Sequence, residues 1–328
     1  MEKFSGTQYL KIDLANQFGL DRLTWHERLW WVNDNEKDLP ALAATAKHPI
    51  LFRKALRAFQ LAQAGQPTNH VMGLDATASG VQCMAVMSGC RLTAETVNLV
   101  NTGNREDLYQ AVTNYMNSLP EVEVQRVIVK HPVMTYFYGS KAVPRQAFGY
   151  GTVLRAFYQT LRERLPGANE LMELFQSHWN PHATYHQWTM PDKHVVRVPV
   201  VNTVQKEIEV DELDHLRFTY RTSEVGTVKK GRSLAANITH SVDGWIVREM
   251  VKRAKAQGFY LAPIHDCFYA HPNHMNQVRQ NYIDILSQMA RMPMVSHILS
   301  EIAGKKVSYR KHSYDLHQEI ELSNYALS

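Results

Sequence analysis

Three short segments of the sequence hold side chains that can act on phosphates. In GLDATASGVQ, an apolar run from His70 to Leu74 reads as a strand that delivers Asp75 to its end, and the small residues after it let backbone and ligand approach closely. In IHDCF, Asp266 falls in a tight turn between two apolar strands, YLAPI and CFYA. Each acid taken alone has a structural use, Asp75 as a helix cap and Asp266 as a turn former. Together, at strand ends of one small sheet, two carboxylates can hold two divalent ions ~3.5–4 Å apart, an arrangement suited to in-line phosphoryl transfer. Oxygen donors with few sulfurs point to Mg²⁺. In RVIVKHPVMTYFYG, Arg126, Lys130, Met134 and Tyr138 recur every four residues and would share one helical face, with Gly139 following. That face offers two cations for a triphosphate and an aromatic ring for a base or sugar. Pro132 predicts that the regular helix starts or kinks there, leaving Arg126 and Lys130 near its beginning, where phosphate is favoured.

These segments must be positioned by a mixed α/β framework with a small sheet. Thr24 and Glu27 form a capping-box pattern ahead of RLWWV, and LFRKALRAFQLAQ reads as an amphipathic helix ending near Gly65 and Pro67. A second helical block runs from Ala94 to about Leu171, broken around Pro120, Pro144 and Pro166. From Tyr185 to Arg221 the pattern turns β-rich. Asp243 to Ala256 predicts a helix closed by Gly258, and the last sixty or so residues read as helical until a polar, aromatic tail.

The order DxxxSG, then RxxxKxxxMTxxYG, then an HD hairpin resembles motifs A, B and C of the single-subunit, bacteriophage-type DNA-dependent RNA polymerases. That family includes the mitochondrial enzymes and shares its palm with family A DNA polymerases. YLKIDLANQFGLDRLTWHER is similar to the segment leading into motif A, HQWTMPD to a stretch late in the fingers, THSVDGWIVREM to the helix before motif C, and NYALS to a short aromatic C-terminal foot. The likeness covers nearly the whole chain but only the C-terminal half of a full-length member. It implies an α/β right-hand palm and fingers lacking the N-terminal domain and thumb. Residues 1–92 would be palm with motif A, 93–240 fingers with a promoter-reading hairpin near 203–221, and 241–328 palm with motif C and the foot.

The resemblance also implies roles. Asp75 and Asp266, helped by the Ala76 carbonyl, would coordinate two Mg²⁺ ions. Lys130 and Arg126 would hold the triphosphate, Tyr138 would close over sugar and template base, and Gly139 would let the helix end tightly. His240 would touch the terminal base pair and His265 would flank the RNA 3′ end. Gly80 stands where family A DNA polymerases carry a glutamate that blocks the ribose 2′-hydroxyl, so ribonucleotide selectivity is expected. Motif A departs from the usual DGSCSGxQH at Ala76, Thr77, Ala78 and Cys83, and Lys193 replaces a common glycine, yet every charged catalytic position is present.

The function implied is a DNA-directed RNA polymerase catalytic subunit, a nucleotidyltransferase. Its partners would be DNA template, RNA product, ribonucleoside triphosphates and a second protein subunit supplying the N-terminal domain and thumb. Two readings compete: a DNA polymerase or primase, the former opposed by Gly80, and a non-catalytic nucleic-acid-binding subunit with a relic site. A metal-dependent nuclease would share the carboxylates but has no use for the Arg126–Tyr138 face.

Composition bounds these readings. The 328 residues allow about two domains, and 45% hydrophobic with 20% charged residues fits a globular chain. The net charge of +5 permits a polyanion without requiring one, although basic residues cluster at 53–57, 229–232, 252–255 and 305–311. No run approaches the ~18 apolar residues of a membrane span, and the start lacks an apolar or Arg-rich leader, so no membrane partner and a cytoplasmic location are expected. Three cysteines suit a reducing compartment. The pairs His182/His186 and His271/His274 have ligand-like spacing but read as surface or loop histidines.

Overall fold

A computed structural model describes residues 1–225 and 231–328. Four helices come first: α1 (Gly6–Phe18), α2 (Trp25–Asp34), α3 (Leu39–Leu42) and α4 (Pro49–Gln63). The expected Thr24–Glu27 capping box starts α2, and a second one, Ser5–Gln8, starts α1. Leu10, Leu14, Val32, Phe52 and Phe59 from these helices form a small core of their own. Arg53, Lys54 and Arg57 line the exposed side of α4.

Strand β1 (Met72–Asp75) leads into α5 (Ser79–Ser88). Every residue of α5 from Val81 to Ser88 is buried, because SGVQCMAVMS is apolar or small on all sides and so suits the centre of the molecule. Its one long polar side chain, Gln82, is satisfied by the carbonyls of Val97 and Ala326 and by the Tyr282 hydroxyl. Around it lie α6 (Arg91–Thr96), α7 (Leu108–Asn117), α8 (Arg126–Tyr136), α9 (Ala142–Phe148), α10 (Thr152–Arg164) and α11 (Pro166–Ser177). This is the expected helical block, and α11 begins at one of its expected breaks, Pro166.

The β-rich stretch forms two antiparallel hairpins. One is β2 (Tyr185–Thr189) with β3 (Val195–Pro199), the other β4 (Val201–Val210) with β5 (Leu216–Val225). Helix α12 (Arg232–Ala256) starts well before the expected Asp243, so a single rod carries His240 and Asp243. Strands β6 (Ala262–Ile264) and β7 (Cys267–Ala270) complete a three-stranded antiparallel sheet in the order β1-β7-β6. Then come α13 (Met275–Arg291), α14 (Met294–Ala303), an irregular stretch and α15 (Leu316–Ile320).

One sequence reading needs correction. His186 is buried rather than a surface residue, accepting the Asn180 N–H, and burial pushes its imidazole below the usual value. His271 caps the turn that follows β7, and His274 stacks on Phe259 with ring centroids 4.8 Å apart, so both serve the structure. In the basic cluster at 305–311, Lys305, Lys306 and Arg310 are exposed but Lys311 is not. It is buried, donates to the Ala290 carbonyl (2.6 Å), and burial lowers its pKa to about 8. Lys229 and Lys230 lie outside the described residues.

Candidate active site

Asp75 ends β1 directly opposite Cys267, the first residue of β7, which brings it beside Asp266 in the β6–β7 turn. The Ala76 N–H donates to the Asp266 carbonyl (3.1 Å) and locks the two strand ends together. His265 holds a left-handed backbone (φ 55°), the conformation a tight hairpin turn demands, and its side chain is exposed at the tip. Loss of solvation and then the charge of Asp266 raise Asp75 to about 6, against the pull of Lys130. The chain's last residues close the other side: the Ser328 N–H donates to the Asp75 carbonyl and the Thr77 N–H to that of Ala326.

Arg126 is the first residue of α8, and Lys130 follows one turn later. Of the two outcomes the sequence left open at Pro132, a start or a kink, the start is excluded: Pro132 lies inside the helix, with Arg126 and Lys130 near its beginning as expected. The helix begins six residues earlier because Arg126 is anchored there: its Nε and Nη2 donate to Asp107 (2.8 and 2.7 Å), which also caps α7. The Tyr109 ring lies 5.4 Å from the Arg126 guanidinium and 5.6 Å from the Lys130 ammonium. Regular helix stops at Tyr136, so Tyr138 and Gly139 sit in the closing turn, where Gly139 takes φ 85°. The four-residue spacing thus holds through Met134, and Tyr138 is placed by the turn instead. Its ring contacts His240 (centroids 4.8 Å apart) and its hydroxyl faces Gly80, where a Cβ would lie only 2.7 Å from the oxygen.

A cavity of about 390 Å³ gathers Asp75, Ala76 and Asp266 with Gly80, Arg126, Lys130 and Tyr138. Gly139, His240 and His265 do not line it. Gly139 is buried, while His240 is exposed against Tyr138. The cavity also exposes Arg22, Lys47 and Arg105, cations that sequence reasoning did not single out. Arg22 lies in the FGLDRLT loop, which buried Arg28 fixes by donating to the Asp21 and Leu23 carbonyls. Asp107, Tyr109 and Asp243 were missed as well. Asp243 is raised to about 6 by burial and by Asp266. Only Asp107 carried a usable signal, as an Asp directly before an apolar helical run.

The site thus brings a carboxylate at a strand end and another in a hairpin turn beside cations at a helix start. The sequence profile of the family described as DNA-dependent RNA polymerase matches residues 3–149 and 153–325. The chain belongs to that family. Among its relatives, a probable DNA-directed RNA polymerase of Neurospora crassa is 26% identical, over 86% of this chain and 40% of its own length. The DNA-directed RNA polymerase of Pseudomonas phage phiKMV is 21% identical, over 91% of this chain and 44% of its own. A mitochondrial DNA-directed RNA polymerase of Schizosaccharomyces pombe is 21% identical, over 83% and 29%. The chain therefore spans less than half the length of these relatives. No observation supports the second protein subunit expected from the sequence. No helix among the described residues is long and apolar enough to cross a membrane.

Proposed function

We propose that this chain carries the catalytic centre of a DNA-directed RNA polymerase, joining ribonucleotides to an RNA 3′-hydroxyl on a DNA template. The observation that carries this reading is the single cavity in which Asp75 and Asp266, Arg126 and Lys130, and the Gly80–Tyr138 contact converge.

The residues present fit divalent metal. Asp75 and Asp266 repel each other, which raises the proton affinity of Asp75, and a cation would relieve that repulsion. All the donors are oxygens, the set Mg²⁺ prefers. The Ala76 carbonyl takes no part in the bonds that join this segment to the C-terminal residues, which use the Asp75 and Ala326 carbonyls. Two bound Mg²⁺ ions held by Asp75, Asp266 and Ala76 would activate the 3′-hydroxyl and neutralise the leaving pyrophosphate.

The remaining work falls to the chain's own side chains. Arg126 and Lys130 hold the triphosphate, with Asp107 and Tyr109 keeping both cations aimed into the cavity. Tyr138 sets the sugar against Gly80, where the absence of a side chain leaves room for a 2′-hydroxyl. Gly139 permits the turn that presents Tyr138. His240, beside Tyr138, faces the terminal base pair, and His265 lies along the RNA 3′ end. Residues 1–92 and 241–328 form the palm and 93–240 the fingers, with α12 running continuously across the boundary at 240. The β4–β5 hairpin occupies the place of a promoter-reading element. Its tip carries Asp211, Glu212 and Asp214, which suits phosphate poorly.

The test is RNA-primed extension on a preassembled RNA–DNA scaffold with Mg²⁺ and ribonucleoside triphosphates. Extension should fall by at least about a hundredfold in Asp266→Asn. Equal extension by that variant would remove the catalytic reading.

A further inference from the structure

We infer that Tyr150 is a stacking platform for an unpaired base of the template strand ahead of the catalytic cavity, with Lys141 and Arg145 holding that strand's phosphates. The inference rests on the template-directed reading above and adds three residues that neither the three motifs nor the cavity contains.

The path starts where the Tyr138 turn ends. Gly139 and Ser140 follow Tyr138, and Lys141 comes next, immediately before α9. Lys141 and Arg145 are four residues apart, so they share one edge of that short helix, and both are exposed. Arg155 stands exposed on the first turn of α10 beyond them. Between Glu123 and Glu163 the chain has no acidic residue, so these cations meet no carboxylate of their own segment. Such a surface fits a polyanion.

Tyr150 is held outward by its neighbours in the chain. Phe148 turns inward and packs on Phe157, with ring centroids 5.0 Å apart. Gly149 follows at φ 69° and ψ −147°, a backbone conformation open essentially to glycine alone. Past that kink Tyr150 is 81% exposed, more than any other aromatic side chain among the described residues. The Arg145 guanidinium lies 5.7 Å from the centre of its ring and backs it. No atom comes within 4 Å of where a Cβ would stand on Gly149 or Gly151, so the loop is open to a nucleotide.

An exposed ring beside cations is what single strands use, since every base has a face to stack and the backbone brings the charge. In the reading above the RNA 3′ end lies at the β6–β7 turn. Helices α9 and α10 instead extend the α8 side of the cavity, so the strand that reaches Tyr150 is the template. The 7 residues of α9 span about 10 Å, which puts the stacked base a few positions ahead of the templating one.

The experiment measures binding of the full chain to a primed RNA–DNA scaffold whose template continues as an unpaired overhang. No nucleotides are added, and the overhang positions are made abasic one at a time. For the wild type, one position or two adjacent ones should weaken binding about five- to thirtyfold on losing the base, as for one base stacked on an aromatic ring. In Tyr150→Ala the same removal should have no further effect, because the stack is already gone. Tyr150→Phe keeps the ring and should respond as the wild type does. Lys141→Ala should weaken every scaffold alike and reduce the salt dependence by about one phosphate. Tyr150 is exposed, so neither of its variants disturbs the core. The platform is overturned if no abasic position separates the wild type from Tyr150→Ala, or if Tyr150→Phe behaves like the alanine variant. Binding needs no catalysis. A wild type that shows the abasic pattern yet fails to extend primers would therefore sink the catalytic reading and support the platform.

Discussion

Gly80 and Asp75 show how chemistry is written into single positions. A methyl at residue 80 would stand 2.7 Å from the Tyr138 oxygen, so Gly80→Ala forces the ring out of place. The phenol is the far end of a part-exposed side chain, so the ring can swing aside at little cost to the fold, but in the proposed function it then no longer sets the sugar. The kcat/KM for ribonucleotides should therefore drop about tenfold or more while the melting temperature barely moves; parallel loss of both would show a folding defect instead. Asp75 makes the opposite trade. Its folded-state pKa of about 6 lies above the ordinary carboxylate value, so between about pH 4 and 6 the folded chain binds the extra proton. Stability from this group is thus greatest at low pH and is lost as pH rises through 6. In EDTA at pH 7.5, Asp75→Asn should melt a few degrees above wild type, although it cannot support extension. The gap should narrow at pH 5, and saturating Mg²⁺ should reverse it. A variant that melts below wild type in EDTA at pH 7.5 would contradict this account.

At the level of elements, what could be read in advance was what neighbouring residues decide among themselves. The Thr24–Glu27 box, the amphipathic α4 and the His265–Asp266 turn are all local, and all three appear where the sequence puts them. The start of α8 is different, because it depends on Asp107, nineteen residues earlier, and proline at 132 pulls the local reading toward a later start. The same holds for Lys311, whose basic neighbours suggest a solvated run while the Ala290 carbonyl draws it inside. Asp107 serves two elements at once, capping α7 through the Tyr109 and Gln110 N–H groups and gripping Arg126. Asp107→Ala should cost about 1–3 kcal/mol, one cap plus one partly buried charged bond, read as a shift in denaturant midpoint. Asp107→Asn keeps the cap and should recover roughly the capping share. If the two variants proved equally stable, the double role would be wrong.

On the scale of the whole molecule, residues 325–328 run beside the site and are held there by residues far away in the sequence. Tyr325 stacks on Trp25 (centroids 5.3 Å apart), and buried Arg279 donates to the carbonyls of Glu2 and Asn324. The residues between Tyr325 and Ser328 then run antiparallel to the segment after β1, with Leu327 bridged to Ala76. No local pattern foretells such a contact, because it joins residues some 250 positions apart. Only the family resemblance, in NYALS, marked this segment at all. It holds Asp75 in place: the Ser328 N–H donates to the Asp75 carbonyl, and the Ala326 carbonyl accepts from the Thr77 N–H and the Gln82 amide. If Asp75 holds metal as proposed, removing residues 325–328 should lower primer extension by at least about a hundredfold, because a metal ligand displaced by even 1 Å loses most of its effect. Ser328→Ala is the contrasting case. It deletes only the Arg105 hydrogen bond to Oγ and leaves every backbone bond, so extension should change no more than about threefold. A truncated chain that extends primers as fast as the full one would mean that β7 alone suffices to place Asp75.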